Sequence, residues 1–180
     1  SFATIIVVIA AAIVLVHAVA HRGCCCIRCC GKATRHDNVQ CLTLANHKGG
    51  VGKTTIAAAL VADVEILSAF AKIVWVSVGQ EPDIRGLQDS IHHQLTKTHF
   101  GDEVKSEADA TTTLRDAAKG SKVLLVLDDV WDPKHEKPLN CIDPNSESRL
   151  LATTRIRGLL KNASEVDVGV LSQEEALKLL

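Results

Sequence analysis

The sequence predicts an α/β fold: a mainly parallel sheet in three layers, with helices over both faces. Three observations predict it. Short apolar runs rich in β-branched residues recur at 39–45, 72–78, 123–127 and 149–154, each of strand rather than helix length. Helix-forming segments separate them, and this alternation implies parallel strands with helices on both sides. Lastly, a glycine-rich stretch, GGVGKTT at 49–55, falls between the first strand and the first helix.

The elements follow in order. VQCLTLA at 39–45 reads as a buried strand, 46–52 as a glycine-rich turn, and KTTIAAALVAD at 53–63 as a helix of good formers. KIVWVSV at 72–78 is a second strand. Apolar Ile84, Leu87, Ile91 and Leu95 recur at three- and four-residue steps, the stripe of an amphipathic helix over 84–95. The charged segment 102–108 reads as a loop, and 114–118 as a helix stopped at Gly120. VLLVL at 123–127 has the character of a central parallel strand. With three prolines, 132–148 reads as a long surface loop. RLLATT at 149–154 is another strand, and Ser172 with Glu175 forms a capping box that opens a last helix from Gln173.

Twenty Lys and Arg against 21 Asp and Glu leave a net charge of −1, with a pI near 6.7. That excludes a nucleic-acid partner held by bulk electrostatics, which calls for a basic face and a high pI. The chain of 180 residues holds no methionine and starts at Ser1, so a longer parent is expected.

Residues 2–20 are apolar apart from Thr4 and His17. As a helix they would reach about 28 Å, close to the hydrocarbon thickness of a bilayer. Basic Arg22, Arg28, Lys32 and Arg35 follow directly, which orients such a span with its C-terminal side in the cytoplasm. The expectation is a transmembrane helix at 1–21 and a membrane-associated protein with its nucleotide domain in the cytoplasm. A signal-peptide core is disfavoured because no small-residue cleavage site is evident. Five of the seven cysteines (Cys24, Cys25, Cys26, Cys29 and Cys30) crowd the linker at 22–38. Juxtamembrane palmitoylation, a metal site built on Cys26 and Cys29, and unmodified thiols all fit that run.

The glycine loop is built for phosphate. Gly49, Gly50, Val51 and Gly52 let backbone N–H groups turn inward around an anion, and the helix that follows aims its N-terminal dipole at the same charge. Lys53 adds a full charge for the β- and γ-phosphates, Thr54 a hydroxyl for Mg²⁺, and Thr55 completes the motif. About 70 residues further on, LLVLDD at 124–129 is an apolar strand ending in two carboxylates. In a P-loop NTPase fold Asp128 then holds Mg²⁺ and Asp129 orients or deprotonates the attacking water.

Four blocks, GGVGKTT at 49–55, IVWVSVGQ at 73–80, LLVLDDVW at 124–131 and SRLLATTR at 148–155, occur in the order found in the NB-ARC family, which the chain resembles over 39–180. NB-ARC domains are the nucleotide switches of plant disease-resistance proteins and apoptotic protease-activating factors. The resemblance implies an ADP-bound resting state, an ATP-bound active state that self-associates, and slow Mg²⁺-dependent ATP hydrolysis between them. It makes Arg155, which ends the TTR block, the sensor of the γ-phosphate, beside Asp129 and Lys53 as catalytic residues. Trp131 and Trp75 are expected to pack in the core. The nucleotide-binding domain then spans 39–171, and 172–180 opens a following subdomain.

One departure stands at the loop entry, where His47 and Lys48 replace the family's usual Gly-Met. KGGVGKT at 48–54 also matches the deviant Walker motif of partition and Min-type ATPases, whose early lysine crosses a dimer interface. Those proteins carry a D-x-D element at the end of the second strand, where this chain has Val76-Ser77-Val78-Gly79. The alternatives are therefore a dimerising ATPase of that type, or a non-hydrolysing scaffold fragment that retains ADP.

Overall fold

The computed structural model describes residues 41–47, 52–161 and 163–168. The expected span, the cysteine-rich linker, Lys48 to Val51 of the glycine loop and the last expected helix lie outside them. Among the described residues no helix is long and apolar enough to cross a membrane.

Five strands form one sheet: β1 (Cys41–Ala45), β2 (Lys72–Gly79), β3 (Val123–Val130), β4 (Arg149–Thr154) and β5 (Ser164–Asp167). Their order is β2-β3-β4-β1-β5, and every pairing is parallel. The chain leaves β1 for the far edge, returns through β3 and β4, and then places β5 on the other side of β1. Ligands of open parallel sheets bind beyond the carboxyl ends of strands at such a reversal.

Helices cover both faces. The even-numbered β3 residues Leu124 and Val126 pack with Leu42, Leu44 and Leu151 against Ile56, Ala57 and Leu60 of α1 (Lys53–Val61) and Ile66 of α2 (Val64–Ala69). The odd-numbered Val123, Leu125 and Leu127 face Ile91 and Leu95 of α3 (Ile84–Thr96), Leu114 of α4 (Glu107–Ala118) and Leu139 of α5 (Pro133–Leu139). Strand alternation sends successive side chains to opposite layers, and this gives the three-layer fold expected. Buried Gln88 ties the second layer together: its Nε2 is shared among Glu107 O at 3.2 Å, Thr111 Oγ1 at 3.1 Å and Pro138 O at 3.0 Å.

Four elements differ from the expectation. The segment 132–148 is not a surface loop: it carries α5, and Leu139, Cys141 and Ile142 are buried. Proline is harmless at the first helical position, where Pro133 stands after its cap Asp132. Helix α4 starts at Glu107, inside the expected loop, because Ser106 and Asp109 form a reciprocal capping box. Finally, α2 is opened by Asp63, whose carboxylate accepts from Glu65 N at 2.8 Å, and β5 adds an edge strand. Neither element was expected.

Cys41 and Cys141 are free thiols, and burial pushes them up to about 12 and about 11 respectively. Both stay protonated at neutral pH.

Candidate functional site

The carboxyl ends of β1, β3 and β4 meet the N-terminus of α1, and the side chains there form one connected set. Lys53 and Thr54 open α1 after Gly52, which has a φ of 85°. Glycine takes that left-handed conformation without a Cβ penalty. Gly52 offers no side-chain cap, and among the described residues no acidic side chain occupies the first turn. A helix end without an acidic cap suits an anion.

Strand β3 supplies the acid. Asp128 continues the even-numbered face and so points toward α1, where Thr54 Oγ1 donates to its Oδ1 at 2.8 Å. Thr153 of β4, two residues beyond Leu151 on the same face, donates to the same oxygen at 2.6 Å. Asp128 is therefore buried (6% exposed) yet accepts two hydroxyl hydrogen bonds. A buried carboxylate without such partners would carry a heavy desolvation cost.

The strand then breaks phase. Pairing steps from Leu127↔Ala152 to Val130↔Thr154, three residues on β3 against two on β4. This is a β-bulge, and Asp129 takes the extra position with a φ of 57°. Aspartate is among the residues that tolerate this region. The Asp129 N–H donates to Thr153 Oγ1 at 2.8 Å, so one threonine hydroxyl fixes both halves of the carboxylate pair.

Asp129 is half-buried and meets two side chains. Trp131 Nε1 donates to its Oδ2 at 3.0 Å, and Arg155 Nε lies 3.6 Å from its Oδ1. The Arg155 guanidinium also sits 4.9 Å from the centre of the Trp131 ring, within cation–π range. Trp131 is thus half-buried beside the acid rather than in the core, and Trp75 is partly buried against the α1 face.

Lys53 is buried, and its Nζ donates to Asn46 O at 3.1 Å. Asn46 ties the end of β1 to the segment after β5, its Nδ2 donating to Val168 O at 2.7 Å. Burial holds the Lys53 ammonium below the usual lysine range; the Arg155 charge adds to that effect, and Asp129 and Asp128 oppose it. A cation destabilised in this way gains most from a phosphate.

The structure brings Lys53, Thr54, Asp128, Asp129 and Arg155 together, with Thr55 exposed on α1. Gly49, Gly50 and Val51 lie outside the described residues. The sequence reading missed Thr153, Asn46 and the polar side of Trp131. Alternation along the RLLATT strand puts Thr153 on the α1 face, and that was the available signal. A hydroxyl and a carboxylate in contact are hard oxygen donors of the kind Mg²⁺ prefers. The residues present fit a magnesium–nucleotide complex.

The NB-ARC domain family profile matches residues 28–180. The chain belongs to the NB-ARC family. A probable disease resistance protein of Arabidopsis thaliana is 30% identical over 137 residues, 73% of this chain but 16% of its own length. This NB-ARC chain therefore spans about one sixth of that relative. Among solved structures, a Signal Transduction ATPase with Numerous Domains from Pyrococcus horikoshii, with a tetratricopeptide repeat sensor, superposes with a TM-score of 0.51. It is 21% identical over 79% of this chain and 23% of its own. A chain from Drosophila ORC bound to AT-rich DNA and Cdc6 gives 0.53 at 14% identity, over 77% and 52% of the two chains. At these identities the likeness is one of fold.

Proposed function

We propose that the chain is an ADP/ATP switch of NB-ARC type with slow Mg²⁺-dependent ATP hydrolysis, acting in defence-related signalling and self-associating in its ATP state. One observation carries this reading: Lys53, Thr54, Asp128 and Thr153, from α1, β3 and β4, converge at the carboxyl end of the sheet, with Thr54 and Thr153 both bonded to Asp128. Lys53 would neutralise the terminal phosphates, and the N-terminal end of α1 would receive the β-phosphate. Thr54 and Asp128 would hold Mg²⁺, which would neutralise phosphate charge. Asp129, just beyond on the bulge, would take the proton of the attacking water. Its pairing with Arg155 accords with slow turnover, because a cation beside a carboxylate lowers its basicity.

Membrane placement, with this domain on the cytoplasmic side, is part of the proposal and rests on the sequence alone: the apolar run at 2–20 and the basic residues Arg22, Arg28, Lys32 and Arg35 that follow it. Fusing residues 1–35 to a soluble reporter and fractionating the cells tests it; a soluble reporter would remove it.

The nucleotide reading is tested by measuring Mg²⁺-dependent ADP and ATP binding to the full chain beside Lys53→Ala. Binding should be lost in the variant. Equal affinity in both proteins would overturn the site.

A further inference from the structure

We propose that Trp131 is the positioning residue of this site, and that Trp131, Asp129 and Arg155 form a latch that the γ-phosphate releases. The inference rests on the nucleotide reading above. Both Asp129 oxygens are engaged, Oδ2 by the Trp131 indole N–H at 3.0 Å and Oδ1 by Arg155 Nε at 3.6 Å. The same indole carries the Arg155 guanidinium on its face at 4.9 Å. One ring thus holds the base with its edge and the cation with its face.

The two contacts are not equivalent. The N–H bond runs between residues two apart on one strand end, next to a bulge whose backbone is pinned by Thr153. It persists whatever occupies the site. Arg155 reaches Asp129 from the end of β4 with its side chain 42% exposed. Exposed ion pairs of this kind are worth little, and a dianionic terminal phosphate beside Lys53 competes strongly for a guanidinium. When Arg155 leaves, Oδ1 is freed toward the water while Trp131 keeps the carboxylate in place. ADP lacks the group that draws Arg155 away, so the latch stays shut in the ADP state.

The chain has two tryptophans, so Trp75→Phe leaves Trp131 as sole emitter. In that background and without nucleotide, Arg155→Gln should shift Trp131 emission, because it removes the cation from the ring. Identical spectra would overturn the latch regardless of nucleotide. A non-hydrolysable ATP analogue with Mg²⁺ should produce the same shift and ADP should not; equal responses to both would overturn the release step. Trp131→Phe keeps a ring face and loses the N–H. It should lower turnover about tenfold while ADP affinity and melting temperature hold. A parallel loss of affinity and stability would make Trp131 merely structural and overturn its positioning role. Direct ADP binding to the unsubstituted chain separates the two readings. If it fails, the nucleotide assignment and the release step fall, and the nucleotide-free spectra still decide whether the latch exists.

Discussion

Thr153 gives its hydroxyl proton to Asp128 Oδ1 at 2.6 Å and accepts the Asp129 N–H at 2.8 Å on the same oxygen. The central strand of the sheet thereby sets the geometry of both acids on its neighbour. Thr153→Val keeps the shape and removes both bonds. A hydrogen bond to a buried charge contributes about 1.5–3 kcal/mol. The Mg²⁺ concentration for half-maximal nucleotide binding should therefore rise about tenfold or more, with Mg²⁺-free ADP binding retained. Titrating Mg²⁺ against ADP binding checks this, and an unchanged midpoint would show that Asp128 needs no help from Thr153.

Asp129 combines a left-handed backbone with a charge, and Asn separates the two. Asparagine tolerates the 57° φ as well as aspartate does, so Asp129→Asn should fold with a melting temperature near that of the parent and still bind ATP. A lost general base costs about 10²-fold or more in rate. Single-turnover phosphate release is the measurement. Unchanged release would take the base role away from Asp129.

Leu139 discriminates between a solvated loop and a packed element at 132–148. It is fully buried against the face that carries Leu125 and Leu127. Leu139→Ala should cost about 2–5 kcal/mol in urea unfolding, as deletions in packed cores do. A cost within about 0.5 kcal/mol, the usual range for surface positions, would return the segment to the loop that its prolines advertise.

Most of the sheet was legible because its interior strands are buried on both faces. LLVLDD opens on a continuous apolar run, and RLLATT, buried at every position, matches β4 residue for residue. Strand β5 was not legible: Ser164–Asp167 alternates partly buried and exposed positions and owes its place to pairing with β1, 122 residues away in sequence. Prolines misled at α5, since the rule that they break helices does not apply to the first turn that Pro133 occupies. In the site, Thr54 and Asp128 followed from motifs with known spacing. The grip of Thr153, Trp131 and Arg155 on Asp129 arises from a bulge, and a run reading LDDVW carries no mark of which residue is extra.

Lys53 links the site to pH. Its folded pKa lies below the ordinary value of 10.5, chiefly through burial and then through Arg155. Between the folded and the ordinary value the unfolded chain holds a proton that the folded chain has lost. Stability of the nucleotide-free protein should therefore increase as pH rises through that alkaline window, and the penalty for the buried charge is fully present below it. Phosphate reverses the effect: an anion beside Lys53 favours the ammonium, so binding ADP there takes up a proton. Calorimetry in two buffers of different ionisation heat, carried up in pH toward the ordinary lysine value of 10.5, should show proton uptake that shrinks as the folded Lys53 becomes protonated at lower pH. Affinity should fall with rising pH across the same window. An affinity that stays flat through that window, with no uptake at any point, would mean that the bound phosphates do not meet Lys53.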